Sequence, residues 1–382
     1  MSPSALRFPP PSIPDSDPEL RAEVRAFLAT ELAAGSYQPS CDNWLAGHSP
    51  QFSRRLAERG WVGMTWPKRY GGHERTALER YSVIEELLAA GAPVAAHWIS
   101  DRQTGPLLLR YGSEAQRERF LPEMAAGRCF FCIGMSEPDS GSDLASIRTS
   151  AVRVEAGWLV NGVKVWTSGA HLNHYLLSLV RTSPPVEGRR HEGMSQVIID
   201  LKSDGVEVRA IRTITGQHHF NEVVLRDVLV PDGMMVGEEG AGWQQVTAEL
   251  AYERSGPERF LSTFQLLVQL IRELGSDIDA SSAVAIGGLA AQLFTLRRLS
   301  LAVAGSIEAG LVPATEAALV KDLGTRFERE LTEVVRSVAP LDPSPRFQEL
   351  MAEAVLAGPG FTLRGGTSEI LRGIVARGLT TR

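Results

Sequence analysis

One acid stands where the pattern calls for an apolar residue. Between Trp243 and Leu274, the residues Trp243, Val246, Leu250, Glu253, Pro257, Phe260, Phe264, Leu267, Ile271 and Leu274 recur at three- and four-residue steps, the spacing that lines one face of a helix. Glu253 therefore shares a face with hydrophobic neighbours. A carboxylate so placed either enters a buried ion pair or has its pKa raised, and the second outcome makes a general base. The pattern alone leaves both open; Arg254, next in sequence, cannot share the face. Pro257 removes the N–H that would bond the Glu253 carbonyl, and Gly256 loosens the same turn. One continuous helix kinked at the acid is expected, because the stripe keeps its phase. The rival is a new helix from Ser255 with Glu258 closing a capping box.

Other groups are weaker on their own. Ser140-Gly141-Ser142-Asp143 reads as an ordinary turn. Gly365-Gly366 precede a helix capped by Thr367, so several N–H groups point outward, as anion or carbonyl recognition requires; a plain N-cap is the alternative. Cys41, Cys129 and Cys132 form an odd set without a second CxxC or clustered histidines, so no metal site is expected and the thiols read as structural.

The elements that must position these groups change character along the chain. Through Pro14 the sequence is rich in Pro and Ser and reads as a loose arm. Asp17 as N-cap and Pro18 at the first helical position open a helix carrying Leu20, Val24, Phe27 and Leu28, ended by Gly35. A helical period continues past Ile84, Leu87, Leu88, Leu107 to Leu109 and Arg117 to Phe120. From Cys129, whose Cys129-Phe-Phe-Cys132 stretch reads as a buried strand, to Gly237 the period is two, with strands at 150–154, 158–166, 175–180, 195–201 and 223–230. Asn161-Gly162 is the strongest hairpin signal, since both residues tolerate positive φ; 182–191 reads as an exposed loop. Beyond Gly240, helices are expected at 243–274, 283–309, 314–338, 347–356 and 367–379. The fold class is α+β multidomain: an N-terminal helical domain over 1–126, a middle β-sheet or barrel domain over 127–239, and a C-terminal helical bundle over 240–382.

Bulk properties agree with a globular chain. Its 382 residues are 43% apolar and 22% charged with a net charge of −6, which supplies no basic stripe for nucleic acid. No apolar run approaches the roughly 20 residues of a membrane helix, and the N-terminus lacks the basic-then-apolar order of a signal peptide. A cytoplasmic protein is expected.

The run Gly134-Met-Ser-Glu-Pro-Asp-Ser-Gly-Ser-Asp-Leu-Ala-Ser146 resembles the first signature of the acyl-CoA dehydrogenase family. Lys164-Val-Trp-Thr-Ser168, Gly240-Ala-Gly-Trp243 and Gly366-Thr-Ser-Glu-Ile-Leu-Arg372 follow in the family's order over almost the whole chain. The resemblance implies an FAD enzyme whose cofactor is lined by Met135, Ser136, Gly141 and Ser142, with Ser136 at the pyrimidine ring and Ser142 at the pyrophosphate. It implies that Trp166 packs on the flavin, that Ser168 bonds flavin N5, and that Thr367 and Glu369 contribute. Ser142, Arg102 and Arg254 are implied on the substrate side. His97, Trp98 and Arg102 fall in the segment the family uses beside the acyl pocket, although burial statistics favour a solvated Arg102. His218-His219-Phe220-Asn221 reads as a loop that could touch CoA, with surface histidines the plainer reading.

Two departures follow. Many members carry the catalytic Glu at the position of Gly365; here Glu253 falls where a minority, including isovaleryl-CoA dehydrogenase, place the base. Gly365 then leaves room for a carboxylate arriving from the other side, and its N–H can donate to the thioester carbonyl. Between Gly275 and Ile286 the Arg and Phe by which a neighbouring subunit grips FAD are missing, and Ala357-Gly-Pro-Gly360 is a shortened Gly-rich segment. Such trimmed halves are similar to bacterial steroid side-chain dehydrogenases, often two-subunit heteromers. The implied reaction is proton abstraction from Cα by Glu253 with hydride transfer from Cβ to the flavin, giving a trans-2-enoyl-CoA, and electrons passing to an electron-transferring flavoprotein. Either a homo-oligomer or a heteromer with a related subunit is expected. The alternatives are a flavin-binding or silent partner subunit, or a same-fold oxidase or desulfinase.

Overall fold

The computed structural model describes residues 18–276 and 278–380 with Leu6 and Phe8; for 249–253 only the backbone is described. The N-terminal arm and the Asp17 cap lie outside the described residues. In chain order the helices are α1 (Pro18–Ala33), α2 (Asn43–Ala46), α3 (Pro50–Glu58), α4 (Ala77–Ala89), α5 (Ala95–Ile99), α6 (Gly105–Tyr111) and α7 (Glu114–Ala125). Strands β1 (Phe131–Gly134), β2 (Ser150–Val154), β3 (Gly157–Ser168), β4 (Tyr175–Arg181), β5 (Met194–Asp200), β6 (Val206–Arg212), β7 (His218–Val230) and β8 (Met235–Val236) follow. The chain then returns to helix with α8 (Gly242–Glu253), α9 (Phe264–Leu274), α10 (Ala280–Glu308), α11 (Ala314–Val338), α12 (Pro345–Phe361) and α13 (Ser368–Thr380). The order is helices, sheet, helices, as the periods required.

Two compact units form: one from residues 1–47, 75–93 and 251–382, the other from 48–74 and 94–250. The second unit, hereafter the sheet unit, holds an eight-stranded sheet in the order β6-β7-β3-β2-β4-β5-β8, with β1 parallel to β4. Its core joins helix residues Leu108, Phe120, Leu121 and Met124 to strand residues Phe131, Cys132, Leu176, Val197 and Val223. Phe120, Phe131 and Tyr175 meet ring to ring at 5.1–5.4 Å, a geometry that stabilises beyond area burial. The helical unit is tied by acids on α4: Glu85 and Glu86 take Arg21 from α1 at 2.6 and 2.7 Å, and Glu85 takes Arg297 from α10 at 2.7 Å.

Two local expectations are corrected. The turn between β2 and β3 is not at Asn161-Gly162 but at Glu155-Ala156, since Val154 pairs with Gly157. Asn161 and Gly162 sit mid-strand at a register shift, where Gly162 has φ +155 and a Cβ would lie 2.3 Å from the Thr149 hydroxyl. The Asn161 amide exchanges 2.9 Å hydrogen bonds with Asp227, itself at φ 50. The tolerance for positive φ is used by a bulge, not a hairpin.

The single kinked helix over 243–274 does not form. α8 stops at Glu253, Gly256 is extended before a short 3-10 turn at Pro257–Arg259, and α9 restarts only at Phe264. A residue before proline is pushed out of the helical region, and Pro257 cannot donate back. Gly256 caps the turn without a side-chain bond, so the capping-box alternative is not realised either. The stripe loses phase as well: α9 buries Leu266, Leu267 and Leu270, while Ile271 is exposed.

The cysteines are buried, and none has a disulfide partner. Burial pushes the Cys129 thiol up to about 12 and raises Cys41 and Cys132 further still. Because the thiolate is the reactive form, a chromogenic thiol reagent should find no reactive cysteine in the native protein and all 3 after denaturation; prompt native reaction would contradict these placements.

Candidate functional site

On the sheet unit the site grows from a buried ion pair. Lys164 of β3 is fully buried, and its ammonium donates to Glu137 Oε1 at 2.8 Å and to the Met135 carbonyl at 3.3 Å. Glu137 also accepts the N–H groups of Arg148 at 2.6 Å and Thr149 at 3.0 Å. Burial alone would raise the Glu137 carboxyl, but the Lys164 charge and these donors outweigh it and hold it below the ordinary range. Burial lowers the Lys164 amine to about 8, against the pull of the Glu137 carboxylate, which raises it. With more donors converging on it, the carboxylate stays ionised at neutral pH and the pair stays charged. This pair ties the 134–146 segment to β3, and a backbone bond from Val165 N–H to the Ser136 carbonyl, 2.9 Å, does the same one residue further on.

What this anchors is an exposed edge. A regular strand would point Lys164 and Trp166 the same way. Between Lys164 and Thr167 the register slips, and Trp166 takes a left-handed φ of 59°, so the indole turns outward and is 58% exposed while Thr167 returns inward. A bulky residue in that conformation costs of order 1–3 kcal/mol and marks a place where function is sought. Beside Trp166, Ser168 is half-buried, as are Met135 and Ser136, while Gly141 and Ser142 are exposed. Phe220 meets the Trp166 ring edge-on at 5.7 Å, and Asn221 bonds the Thr167 carbonyl at 2.9 Å. An aromatic face, hydroxyls and a glycine on one anchored edge suit a flat heteroaromatic cofactor with a phosphate tail, which is what FAD would ask of them.

Arg102 is not solvated. It lies in a π-helical turn, Ser100–Thr104, every residue of which is buried, and its guanidinium stands 5.5 Å from the Trp98 ring. Asp101 of the same turn accepts the Gly63 N–H at 2.7 Å, and Ser100 the Phe131 N–H at 2.8 Å. Such π turns are uncommon and recur at functional positions. His97 is likewise buried, 2.8 Å from the Ser53 hydroxyl. His218 is half-buried on β7, stacked on His171 at 3.8 Å, rather than in a loop. The sheet unit also carries a cavity of about 850 Å³ lined by Arg148, Arg153, Arg181, Arg190, Trp158 and Thr182.

In the helical unit, Glu253 is the last residue of α8, and its side chain lies outside the described residues. Arg254 is buried, and its Nε donates to the Gly365 carbonyl at 3.3 Å. Gly365 and Gly366 have φ +65 and +98, the left-handed region that glycine adopts without strain. Lys321 of α11, fully buried, donates to the carbonyls of Phe361 at 3.1 Å and Gly366 at 2.9 Å. Arg364 grips both carboxylate oxygens of Asp42 at 2.6 Å and the Ser262 hydroxyl at 2.8 Å. Thr367 caps α13, its hydroxyl accepting the Ile370 N–H at 3.4 Å, with Glu369 in the first turn, where an acid complements the helix dipole.

Sequence reasoning missed Glu137, Lys321, Asp42, Arg364 and Glu328. Glu137 and Lys164 were legible as motif members but not as a pair. Glu328 is fully buried and accepts the Ser262 N–H at 2.9 Å; burial pushes its carboxyl up to about 7 against the pull of Arg364. An acid on an otherwise amphipathic helix gives no such signal.

The sequence matches the profiles for the N-terminal domain of acyl-CoA dehydrogenases over residues 14–128 and for their middle domain over 132–228. Acyl-CoA dehydrogenase FadE34 of Mycobacterium tuberculosis is 34% identical over 330 residues, covering 85% of this chain; the chain spans 45% of that protein's length. Acyl-CoA dehydrogenase IpdE1 of the same organism is 32% identical, covering 94% of this chain and 96% of that protein. The solved structure titled Tcur3481-Tcur3483 steroid ACAD superposes with a TM-score of 0.84 at 28% identity, covering 94% of this chain and 96% of that one.

Proposed function

Because the chain belongs to the acyl-CoA dehydrogenase family, we propose that it removes hydrogen from Cα and Cβ of an acyl-CoA thioester to give the trans-2-enoyl-CoA, with Glu253 as base and an electron-transferring flavoprotein as acceptor. The observation that carries this reading is Trp166, turned outward by a bulge beside Ser168 on an edge anchored by Glu137 and Lys164. FAD, when bound, supplies the acceptor for the hydride that leaves Cβ. Met135, Ser136, Gly141, Ser142, Trp166 and Ser168 of the sheet unit would hold it.

The chain's own residues handle the proton. A thioester α-proton is a weak acid, so its removal needs donors on the carbonyl oxygen and a base whose pKa rises as substrate excludes water. Gly365 N–H is the proposed donor, and Glu253 takes the proton. Arg102 and Arg254, each within its own unit, are the arginines proposed to meet the substrate.

The similar steroid ACAD, named as the pair Tcur3481-Tcur3483, supports a heteromer with a related subunit over a homo-oligomer, as does the missing Arg and Phe between Gly275 and Ile286. It also supports a bulky, ring-bearing acyl group. No helix among the described residues is long and apolar enough to cross a membrane, and the cytoplasm is the proposed location. The test is anaerobic titration of the purified yellow protein, alone and with its related subunit, against a panel of short, branched and steroid side-chain acyl-CoA thioesters. Bleaching by at least one thioester is expected. A flavoprotein that none of them bleaches would overturn the reading, and oxygen consumption or sulfite release instead would assign an oxidase or a desulfinase.

A further inference from the structure

The outward turn at Trp166 has to be held from behind. Between Lys164 and Thr167 the β3–β7 ladder is interrupted, with Val165 and Trp166 standing against Glu222 alone, and it resumes with Thr167 opposite Asn221 and Ser168 opposite Phe220. The Thr167 hydroxyl is buried without a partner among the described residues, so the polar bonds of this residue run through its main chain. That main chain is clamped from β7 on both sides of Ser168. Asn221, fully buried, donates from Nδ2 to the Thr167 carbonyl at 2.9 Å, and the Gly169 N–H donates to the His219 carbonyl at 2.7 Å.

A side-chain amide holds a carbonyl only while its nitrogen faces that carbonyl. Here the orientation is determined by its two partners. The Thr167 carbonyl only accepts, so Nδ2 faces it and Oδ1 faces His218, whose Nε2 stands 2.8 Å away and must therefore carry the ring proton and donate it. His218 in turn stacks on His171, with ring centroids 3.8 Å and planes 16° apart. Burial and the nearby His218 hold the His171 imidazole below its ordinary range, against an Asn221 bond that favours its protonation. At neutral pH the stack therefore does not set two cations face to face. His171, His218, Asn221 and Thr167 thus form one run of contacts that ends on the residue between Trp166 and Ser168.

We propose that Asn221 is a positioning residue for the flavin: its amide, oriented by His218, holds the Thr167 carbonyl and with it the outward Trp166 and the Ser168 hydroxyl where they meet the isoalloxazine ring. This rests on the flavin half of the proposed function and not on the substrate. A purely structural Asn221, a buried amide satisfied inside a bulge, predicts instead that flavin binding is indifferent to the His218 donor.

The experiment uses the FAD-loaded protein in whichever assembly retains flavin. Its readouts are the FAD dissociation constant by ultrafiltration and the visible circular dichroism of the bound flavin, which reports the groups beside the ring. Asn221→Leu keeps the volume and removes both bonds; FAD should bind about tenfold more weakly, the scale of one net hydrogen bond, with an altered flavin spectrum. Two changes at His218 separate the bond from the ring. His218→Phe keeps a ring against His171 but has no donor, and should weaken FAD and alter its spectrum in the same direction. His218→Gln loses the ring but offers an amide N–H in place of Nε2, and should resemble wild type. If Asn221→Leu does not fold, the two His218 variants decide. FAD affinity and spectrum unchanged in Asn221→Leu or in His218→Phe, or disturbed as much by His218→Gln as by His218→Phe, would overturn the inference alone. A wild-type protein that retains no FAD in any assembly overturns the flavin reading and this inference with it.

Discussion

Glu253→Gln should purify yellow and folded yet oxidise acyl-CoA roughly 10²- to 10⁴-fold more slowly than wild type, the range for removing a positioned general base. The change keeps the side chain's shape and removes its ability to accept a proton. Its structural cost should be small, because Glu253 closes α8 immediately before the Arg254–Gly256 turn rather than sitting mid-helix. Single-turnover bleaching under anaerobic conditions is the measurement, with Glu253→Asp as an intermediate case in which the base survives but is set back by one methylene. Bleaching at the wild-type rate in Glu253→Gln would remove the residue from the chemistry and return it to the structural ion pair that the sequence pattern also allowed.

The second large effect is on stability. Lys164→Met leaves Glu137 buried without the ammonium that neutralises it, and breaking a buried pair from one side costs about 3–5 kcal/mol. Thermal unfolding should show a drop in Tm, accompanied by loss of FAD on gel filtration, since the same pair ties the 134–146 segment to β3. Lys164→Met with Glu137→Gln should regain part of the loss, because no uncompensated charge then remains. The pH dependence has a definite sign. Glu137 is depressed below 4.5, so its contribution is present above that value and fades as pH falls through its lower folded pKa. Lys164, lowered from 10.5 to about 8, binds fewer protons folded than unfolded between those values, so stability should rise with pH across that window. Lys164→Met should flatten both limbs. A variant as stable as wild type, with the same acid limb, would show that the pair carries no net weight.

These expectations draw unequally on sequence and structure. The helix–sheet–helix order was legible because apolar periods of 3.6 and 2 are local properties, and β2 and α11 begin and end where their patterns do. The family resemblance lay in short contiguous runs, so Ser136, Ser142, Trp166 and Ser168 could be named without coordinates. β6 went unread because its burial alternates weakly, being an edge strand with mixed exposure.

Where reading along the chain failed, distant groups decided. Asn161-Gly162 carries the composition of a turn, but Asp227, far away in sequence, claims the Asn161 amide and converts it to a bulge. The apolar stripe through Pro257 predicts one helix, yet the proline's backbone constraint acts before any core contact and ends it. Arg102 looks solvated from its type and is buried in a π turn.

By itself, then, the sequence determined the order of elements, the family motifs and the unusual acid at 253, since each is written in residues adjacent or one helical turn apart. The tertiary structure alone decided that Glu137 pairs with Lys164 and that Trp166 faces outward. Each of those depends on burial and on charges brought together from separate elements, and desolvation is a property of a place in the fold rather than of a position in the chain.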